Sequence, residues 1–184
     1  MNEGPAVLIV SDDDDVSEPL TAVLKRAGYR AGACGSHEAT ADLAGPPPDV
    51  LILDRDIPAA RYQQVMTLLE PRRGRDSFPL IILGGGPAPP LPEGWHEDAW
   101  RSVARPPQPG EVAATVAALL RLKFYRGYRD LVHDLAQPAT SLHALARAVA
   151  RALPAADPAR KEVDLLEREA DRLMTLLENF QRRR

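Results

Sequence analysis

With 184 residues, 45% of them hydrophobic and 27% charged, the chain is long enough for one ordinary domain or two small ones. Its formal net charge of −3 gives no reason to expect nucleic-acid binding, and its single cysteine, Cys34, excludes an internal disulfide and the usual zinc sites. No segment approaches the roughly 20 apolar residues of a membrane-crossing helix, and the acids near the N-terminus are wrong for a signal peptide, so a cytoplasmic protein is expected.

In chain order, three short apolar runs come first to notice: Ala6–Val10 (AVLIV), Val50–Leu53 (VLIL) and Leu80–Leu83 (LIIL). They are continuous, rich in β-branched residues and bounded by turn residues, the pattern of strands buried on both faces in a parallel sheet. Between the first two, Ser17–Ala27 carries Leu20, Val23 and Leu24 at helical spacing, with Gly28 as a stop. Tyr29–Ala33 is a weaker strand candidate, and Glu38–Ala44 a short helix before Gly45 and a proline run. Arg61–Leu69 reads as a third helix with Val65, Leu68 and Leu69 on one face, and Trp100–Ala104 as a final strand. Alternating strands and helices imply a doubly wound α/β domain with right-handed crossovers over residues 1–108. The segment Gly84–Gly94 is too rich in Pro and Gly for the helix such a domain usually places there.

From Gly110 the pattern changes. Val112, Val116, Leu119, Leu120, Phe124, Leu131, Val132, Leu135, Leu142, Leu145 and Val149 recur every three or four residues, which predicts one long helix over about 110–153, interrupted only by Pro138. Pro154–Pro158 is a turn, with Asp157 as N-cap and Pro158 at the first helical position. A second helix, about 158–182, carries Val163, Leu166, Leu173, Leu177 and Phe180. The short loop makes the two helices of region 109–184 antiparallel neighbours, and a second copy of the chain would cover their remaining apolar stripes in a dimeric four-helix bundle.

Two groups of residues carry candidate chemistry. Asp12, Asp13, Asp14 and Asp15 follow the first strand and Asp54 ends the third, so all would converge on the carboxyl edge of the sheet. Crowded carboxylates suit Mg²⁺; equally, four consecutive acids suit a solvated loop and a helix N-terminus. In the helical region, His133 is followed by Asp134 and, one turn later, by Gln137 and Pro138. A neighbouring carboxylate can hold an imidazole tautomer and raise its nucleophilicity; a solvated helical histidine beside an aspartate is the plain alternative. His37 and His96 read as surface residues, and His143 lies too far from His133 for a metal pair on adjacent turns.

The first region resembles the receiver domain of bacterial response regulators, on Val7–Val16 (VLIVSDDDDV), Gly28-Tyr29, Pro48–Pro58 (PDVLILDRDIP), Pro79–Leu83 and Arg105-Pro106. The resemblance covers nearly all of residues 5–108 and implies a five-stranded flavodoxin-like fold, with Asp54 as phosphoacceptor and Mg²⁺ held by Asp12, Asp54 and the backbone carbonyl of Asp56, Asp13 being available as a substitute acid. Three positions depart from the pattern. Ser11 stands where the first acid of the family pair falls, Gly84 where a small hydroxyl residue ends the fourth strand, and Arg105 where the family has lysine, which a planar fork does not replicate. Together they imply a pseudo-receiver without the usual switch.

Leu131–Leu142 (LVHDLAQPATSL) resembles the phosphoacceptor motif of the dimerisation and histidine phosphotransfer (DHp) domain of sensor kinases, and the run Leu166–Leu173 resembles that domain's second helix. The resemblance covers about residues 122–182, with Ala139 departing from the usual leucine. It implies His133 as phosphoacceptor, Asp134 as its acid-base neighbour and Gln137 as support for hydrolysis of a partner's phospho-aspartate. These 184 residues contain no Gly-rich ATP lid, and Gly84-Gly85-Gly86 opens no helix as a phosphate loop would, so autonomous kinase activity is not expected. The expected function is that of a two-component phosphorelay protein: a homodimer passing a phosphoryl group through His133 between a separate histidine kinase and a separate response regulator, with the pseudo-receiver as a docking or regulatory module. Neither nucleic acid nor membrane is an expected partner, and no cofactor is required beyond Mg²⁺ at the acidic edge. Alternatives are a non-catalytic scaffold or antagonist of a kinase or regulator, a phosphatase of a partner's phospho-aspartate, and a response regulator that uses the hairpin only to dimerise.

Overall fold

A computed structural model describes residues 4–69, 79–84, 97–154 and 157–182. They divide into two compact units, Met1–Lys123 and Phe124–Arg184.

The first unit is built on five parallel strands, β1 (Ala6–Val10), β2 (Arg30–Cys34), β3 (Val50–Asp54), β4 (Leu80–Leu83) and β5 (Trp100–Val103), in the order β2-β1-β3-β4-β5. Every residue of β3 and β4 is buried, as continuous apolar runs require when helices cover both faces of a sheet. The outer strands β2 and β5 alternate with exposed residues, which is why Tyr29–Ala33 reads faintly in the sequence: an edge strand needs apolar residues only where it packs.

Helix α1 (Asp14–Arg26) starts three residues before the position expected from its apolar spacing. The Asp13 side chain accepts a hydrogen bond from the Asp15 N–H (3.0 Å), so the acidic run itself caps the helix, and Asp14 and Asp15 occupy its first turn where the dipole favours them. Gly28, at φ +90°, closes the other end: its N–H bonds to the Lys25 carbonyl and that of Tyr29 to the Leu24 carbonyl, a Schellman arrangement that only glycine adopts without strain. Helices α2 (Ala39–Ala44) and α3 (Ala59–Leu69) follow. Leu43, Val65, Met66 and Leu69 pack on one face of the sheet against Leu51, Leu53, Leu80 and Ile82. The Pro/Gly-rich stretch expected to be non-helical lies, apart from Gly84, outside the described residues.

The opposite face is covered by α1 and by the start of α4 (Pro109–Ala152). Val112, Val116 and Leu119 are buried there with Leu20, Leu24, Val7, Ile9, Ile52 and Ile81. The sheet unit therefore runs to Lys123, beyond the change of sequence pattern at Gly110. The pattern changes where a helix begins, and the sheet still needs that helix's first turns. Lys123 also pairs with Asp49 (3.4 Å), whose other oxygen accepts the Ala6 N–H at 2.9 Å.

The second unit is a helical hairpin formed by the rest of α4 and α5 (Arg160–Arg182). Arg147 meets Glu167, His143 meets Asp171 and Thr140 meets Met174; one number falls as the other rises by the same count, the register of an antiparallel pair. In the turn, the Asp157 side chain accepts the Ala159 N–H (2.8 Å), and Arg160 donates to the carbonyls of Ala150 and Leu153 at the end of α4. Helical assignment continues through Pro138.

Small residues form the seam inside the hairpin. Val132, Ala136, Ala139, His143, Ala146 and Ala150 recur at alternating steps of four and three along α4, and all are buried or half-buried. The larger residues Leu131, Leu135, Leu142, Leu145 and Val149 take five of the six positions one residue earlier, about 100° round the helix, with Pro138 in the sixth, and they remain exposed. Leu165, Leu166, Leu173 and Leu176 of α5 are exposed as well. The apolar spacing that looks like one stripe in the sequence is two in the structure.

The border assignment has a direct test. Leu119→Ala, which removes a fully buried side chain from the sheet unit, should destabilise that unit by about 3 kcal/mol in urea unfolding. Were α4 merely a linker at this point, the change would be close to zero.

Candidate functional site

Asp54 ends β3 at the carboxyl edge of the sheet, next to the end of β1, where the chain winds from one face of the sheet to the other. It is only 1% exposed. A carboxylate so far from water has to be met by donors or a counter-charge. The Ser11 hydroxyl, itself buried, donates to Asp54 Oδ2 at 2.7 Å, and the Asp56 N–H donates to Oδ1 at 3.0 Å. Arg105, from the loop after β5, brings Nη2 to 3.2 Å from the same Oδ2. An acid at position 11 would place a second buried negative charge there; the serine supplies a donor instead, and its oxygen also accepts the Asp13 N–H (3.2 Å).

The guanidinium of Arg105 reaches three carboxylates. Besides Asp54, its Nη2 bonds Asp13 Oδ2 at 2.9 Å, and its Nη1 bonds Asp56 Oδ2. A planar fork with several donors can bridge carboxylates in this way, where an ammonium is a single point of charge. Burial acts against the charge of Arg105, but the hydrogen bond with Asp56 and the fields of Asp54, Asp56 and Asp13 outweigh it and hold its pKa above the ordinary value.

Asp12 points elsewhere. Its Oδ1 accepts the Ser36 N–H at 2.6 Å and its Oδ2 the Ser36 hydroxyl at 2.8 Å, on the loop that follows β2. These two bonds hold the Asp12 carboxyl below its usual pKa. Ser36 was not visible as a partner in the sequence; the parallel pairing of β2 beside β1 is what brings it there.

The Mg²⁺ implied by the receiver resemblance is not served by this donor set. Asp12 is committed to Ser36, while the outer oxygens of Asp13, Asp54 and Asp56 are committed to Arg105. Among the described residues no three acids, histidines or cysteines are grouped so as to hold a metal. Gly84, in the position of the expected hydroxyl residue, has φ +153°, and a Cβ built there would lie 3.0 Å from the Arg55 Cβ, so a side chain would be strained by the backbone and crowded by its neighbour. An open cleft of about 560 Å³ lies beside Arg105, with Val16, Pro19, Leu20, Pro106 and Pro107 among its lining. Cys34 is buried in the sheet unit; burial, then the nearby Asp42, push its thiol up to about 12, so it is inert as a nucleophile.

In the helical unit, His133, Asp134 and Gln137 are all exposed on α4. His133 and Gln137 are one turn apart and share a face. No hydrogen bond among the described residues joins Asp134 to His133. His133 follows the buried Val132, and Leu131 precedes it, so His133 and the leucine stripe lie on opposite sides of the seam. His143 lies in the seam, half-buried, with Nε2 3.0 Å from Asp171 Oδ1, whereas the sequence marked it only as not paired with His133. His37 lies beside Glu38 at the surface, and His96 falls outside the described residues.

No protein-family model matches the chain. The phosphoglycerate transport system transcriptional regulatory protein PgtA of Salmonella typhimurium is 28% identical over 123 residues, which are 66% of this chain and 29% of that protein; the chain thus spans less than a third of that relative's length. Among solved structures, the Francisella response regulator 1452 receiver domain superposes with a TM-score of 0.53 at 18% identity, covering 64% of this chain and 98% of its own. A CheY-like receiver domain protein from Methanospirillum hungatei JF-1 gives 0.55 at 16% identity, covering 66% and 98%. The response regulator StyR gives 0.61 at 17% identity, covering 94% and 92%. No helix among the described residues is long and apolar enough to cross a membrane.

The Asp12–Ser36 bonds predict an acid-limb effect. A carboxyl whose folded pKa is depressed adds stability that is fully present above its unfolded value near 3.8 and is lost as pH falls through the lower folded value. Ser36→Ala should therefore give a shallower loss of stability below pH 3.8 than the wild-type chain, read from urea midpoints across an acid series. Parallel acid limbs would show that Ser36 does not set the Asp12 pKa.

With the site geometry in view, these likenesses identify the fold of the first unit as that of the response-regulator receiver domain.

Proposed function

We propose that this chain is a two-component phosphorelay protein in which His133 accepts a phosphoryl group from a separate histidine kinase and passes it to an aspartate of a separate response regulator. In the first step the phosphorus–oxygen bond to ADP breaks in ATP held by the kinase, ADP leaves, and a phosphorus–nitrogen bond forms on the imidazole. In the second, that bond breaks and the partner's carboxylate takes the group. Phosphoryl transfer depends mainly on position and charge stabilisation, so a rigid helix presenting one histidine suffices when the partner brings the metal and the receiving aspartate. The observation that carries the reading is the arrangement of α4. His133 and Gln137 are exposed on one side of the alanine seam, and a heptad stripe of large apolar residues is exposed on the other.

That stripe is the proposed dimer face. Leu131, Leu135, Leu142, Leu145 and Val149 keep coiled-coil spacing over several turns, a pattern that fits another helix of the same spacing better than water. Pairing two hairpins through it gives a four-helix bundle and leaves both His133 side chains accessible. The receiver-like unit then serves for docking or regulation.

A second reading has one specific support. The likeness to StyR extends over 94% of this chain, which favours a response regulator whose hairpin only pairs two copies.

Incubation with a phosphorylated partner regulator or kinase should give acid-labile, base-stable label on the wild-type chain and none on His133→Ala. Label that persists in that variant sinks the phosphorelay reading. Independently, Leu142→Glu with Leu145→Glu should convert a dimer into a monomer in sedimentation equilibrium while far-ultraviolet dichroism keeps its helical signal. An unchanged mass would remove the leucine stripe as the dimer face.

A further inference from the structure

Among the described residues, one cationic group is bonded to three carboxylates at the acidic edge of the sheet, and it belongs to the chain itself. We infer that the Arg105 guanidinium is a built-in replacement for a divalent cation, which keeps the Asp54 edge in a single, metal-independent state.

The geometry supports this at three carboxylates together. A cation bound at this edge would need the Asp54 carboxylate and the acids beside it, and Asp13 and Asp56 flank Asp54 on the same guanidinium. Arg105 holds one oxygen of each: Asp13 Oδ2 at 2.9 Å, Asp54 Oδ2 at 3.2 Å, and Asp56 Oδ2. A metal and a guanidinium among the same three oxygens would repel each other at short range and compete for the same lone pairs. Of the other acids of the run, Asp12 has both oxygens accepting from Ser36, and Asp14 and Asp15 occupy the first turn of α1.

Neighbouring residues fit the same state. Ser11 donates to Asp54 where an acid would need a further cation. The residue after β4 is Gly84, which presents no hydroxyl, and a Cβ there would crowd the Arg55 side chain. Arg105 also links three strands through their carboxyl ends: Asp13 after β1, Asp54 and Asp56 at and after β3, and itself after β5. In this state the edge is cross-linked and part of its negative charge is offset without any ligand, and Asp54, 1% exposed, lacks the exposed oxygen that an incoming phosphoryl group would need. The inference does not depend on His133, and its test reads metal binding and not phosphotransfer.

The experiment uses the full chain. Thermal midpoints are measured against millimolar MgCl₂ and against NaCl of matched ionic strength, since screening alone shifts charged pairs. The wild-type midpoint should follow the NaCl control. Arg105→Gln, which frees the three carboxylates, should be destabilised and then recover with Mg²⁺, with an affinity at least about tenfold tighter than any seen for wild type. Adding Asp54→Asn to that variant should abolish the recovery. A saturable Mg²⁺ response in the wild-type chain overturns the inference, as does a folded Arg105→Gln chain that gains nothing beyond salt. Should the variant stay unfolded at every Mg²⁺ level, titration of the wild-type chain with Mn²⁺ decides alone: one-site binding lost in Asp54→Asn refutes the proposal, and no binding upholds it.

Discussion

A carboxylate withdrawn from water at the end of a central strand imposes conditions on everything around it. Asp54 is almost completely buried, and three different segments supply its compensation: a hydroxyl after β1, a backbone N–H after β3 and a guanidinium after β5. At an effective dielectric of about 20, two unit charges at the Arg105–Asp54 separation attract by about 5 kcal/mol, a gross figure that desolvation of both groups largely offsets. The arrangement acts less as a source of net stability than as a condition of register. If β1, β3 and β5 were not aligned at their carboxyl ends, a buried charge would be left unmatched.

The sheet imposes a second condition. Strands that are apolar on both faces need two helical layers, and α1 alone does not cover its side. The first turns of α4 complete that layer, so the same continuous helix carries residues of the sheet core near its start and the histidine motif further along. The hairpin then meets its own packing demand with alanines, which allow close approach of α4 and α5, while the leucines and Val149 are held outside the seam. The proposed dimer follows from that division of labour: residues with the most apolar surface are those the single chain does not bury.

Much of the sheet unit was legible in the sequence because fully buried parallel strands leave an unambiguous signal. AVLIV, VLIL and LIIL mark β1, β3 and β4 within a residue of their observed limits. The start of α1 was less legible, because an acidic run can be a metal site, a solvated loop or a helix cap; the Asp15 N–H on Asp13 shows that part of it is the cap. The extent of the compact sheet unit was hidden by the same kind of ambiguity: helical periodicity begins at Gly110, but nothing in it says that Val112, Val116 and Leu119 face a sheet and later residues another helix. The alanine seam was hidden because alanine is a weak marker of burial, and the leucines dominated the reading of the stripe.

What the sequence by itself determined is the inventory and its local consequences: strand-forming runs, helix spacing, the acid at the end of β3, the histidine motif ahead of Pro138, and the substitutions Ser11, Gly84 and Arg105. Each of these depends on neighbours within a few residues, where propensity and periodicity act. What only the tertiary structure decided is how the carboxylates are allotted, Asp12 to Ser36 and Asp13, Asp54 and Asp56 to Arg105, and which helical stripe stays in water. Those outcomes depend on groups far apart in the chain, brought together by the strand order and hairpin register. The energy of a charge or an apolar surface depends on what lies against it, and that is a property of the fold.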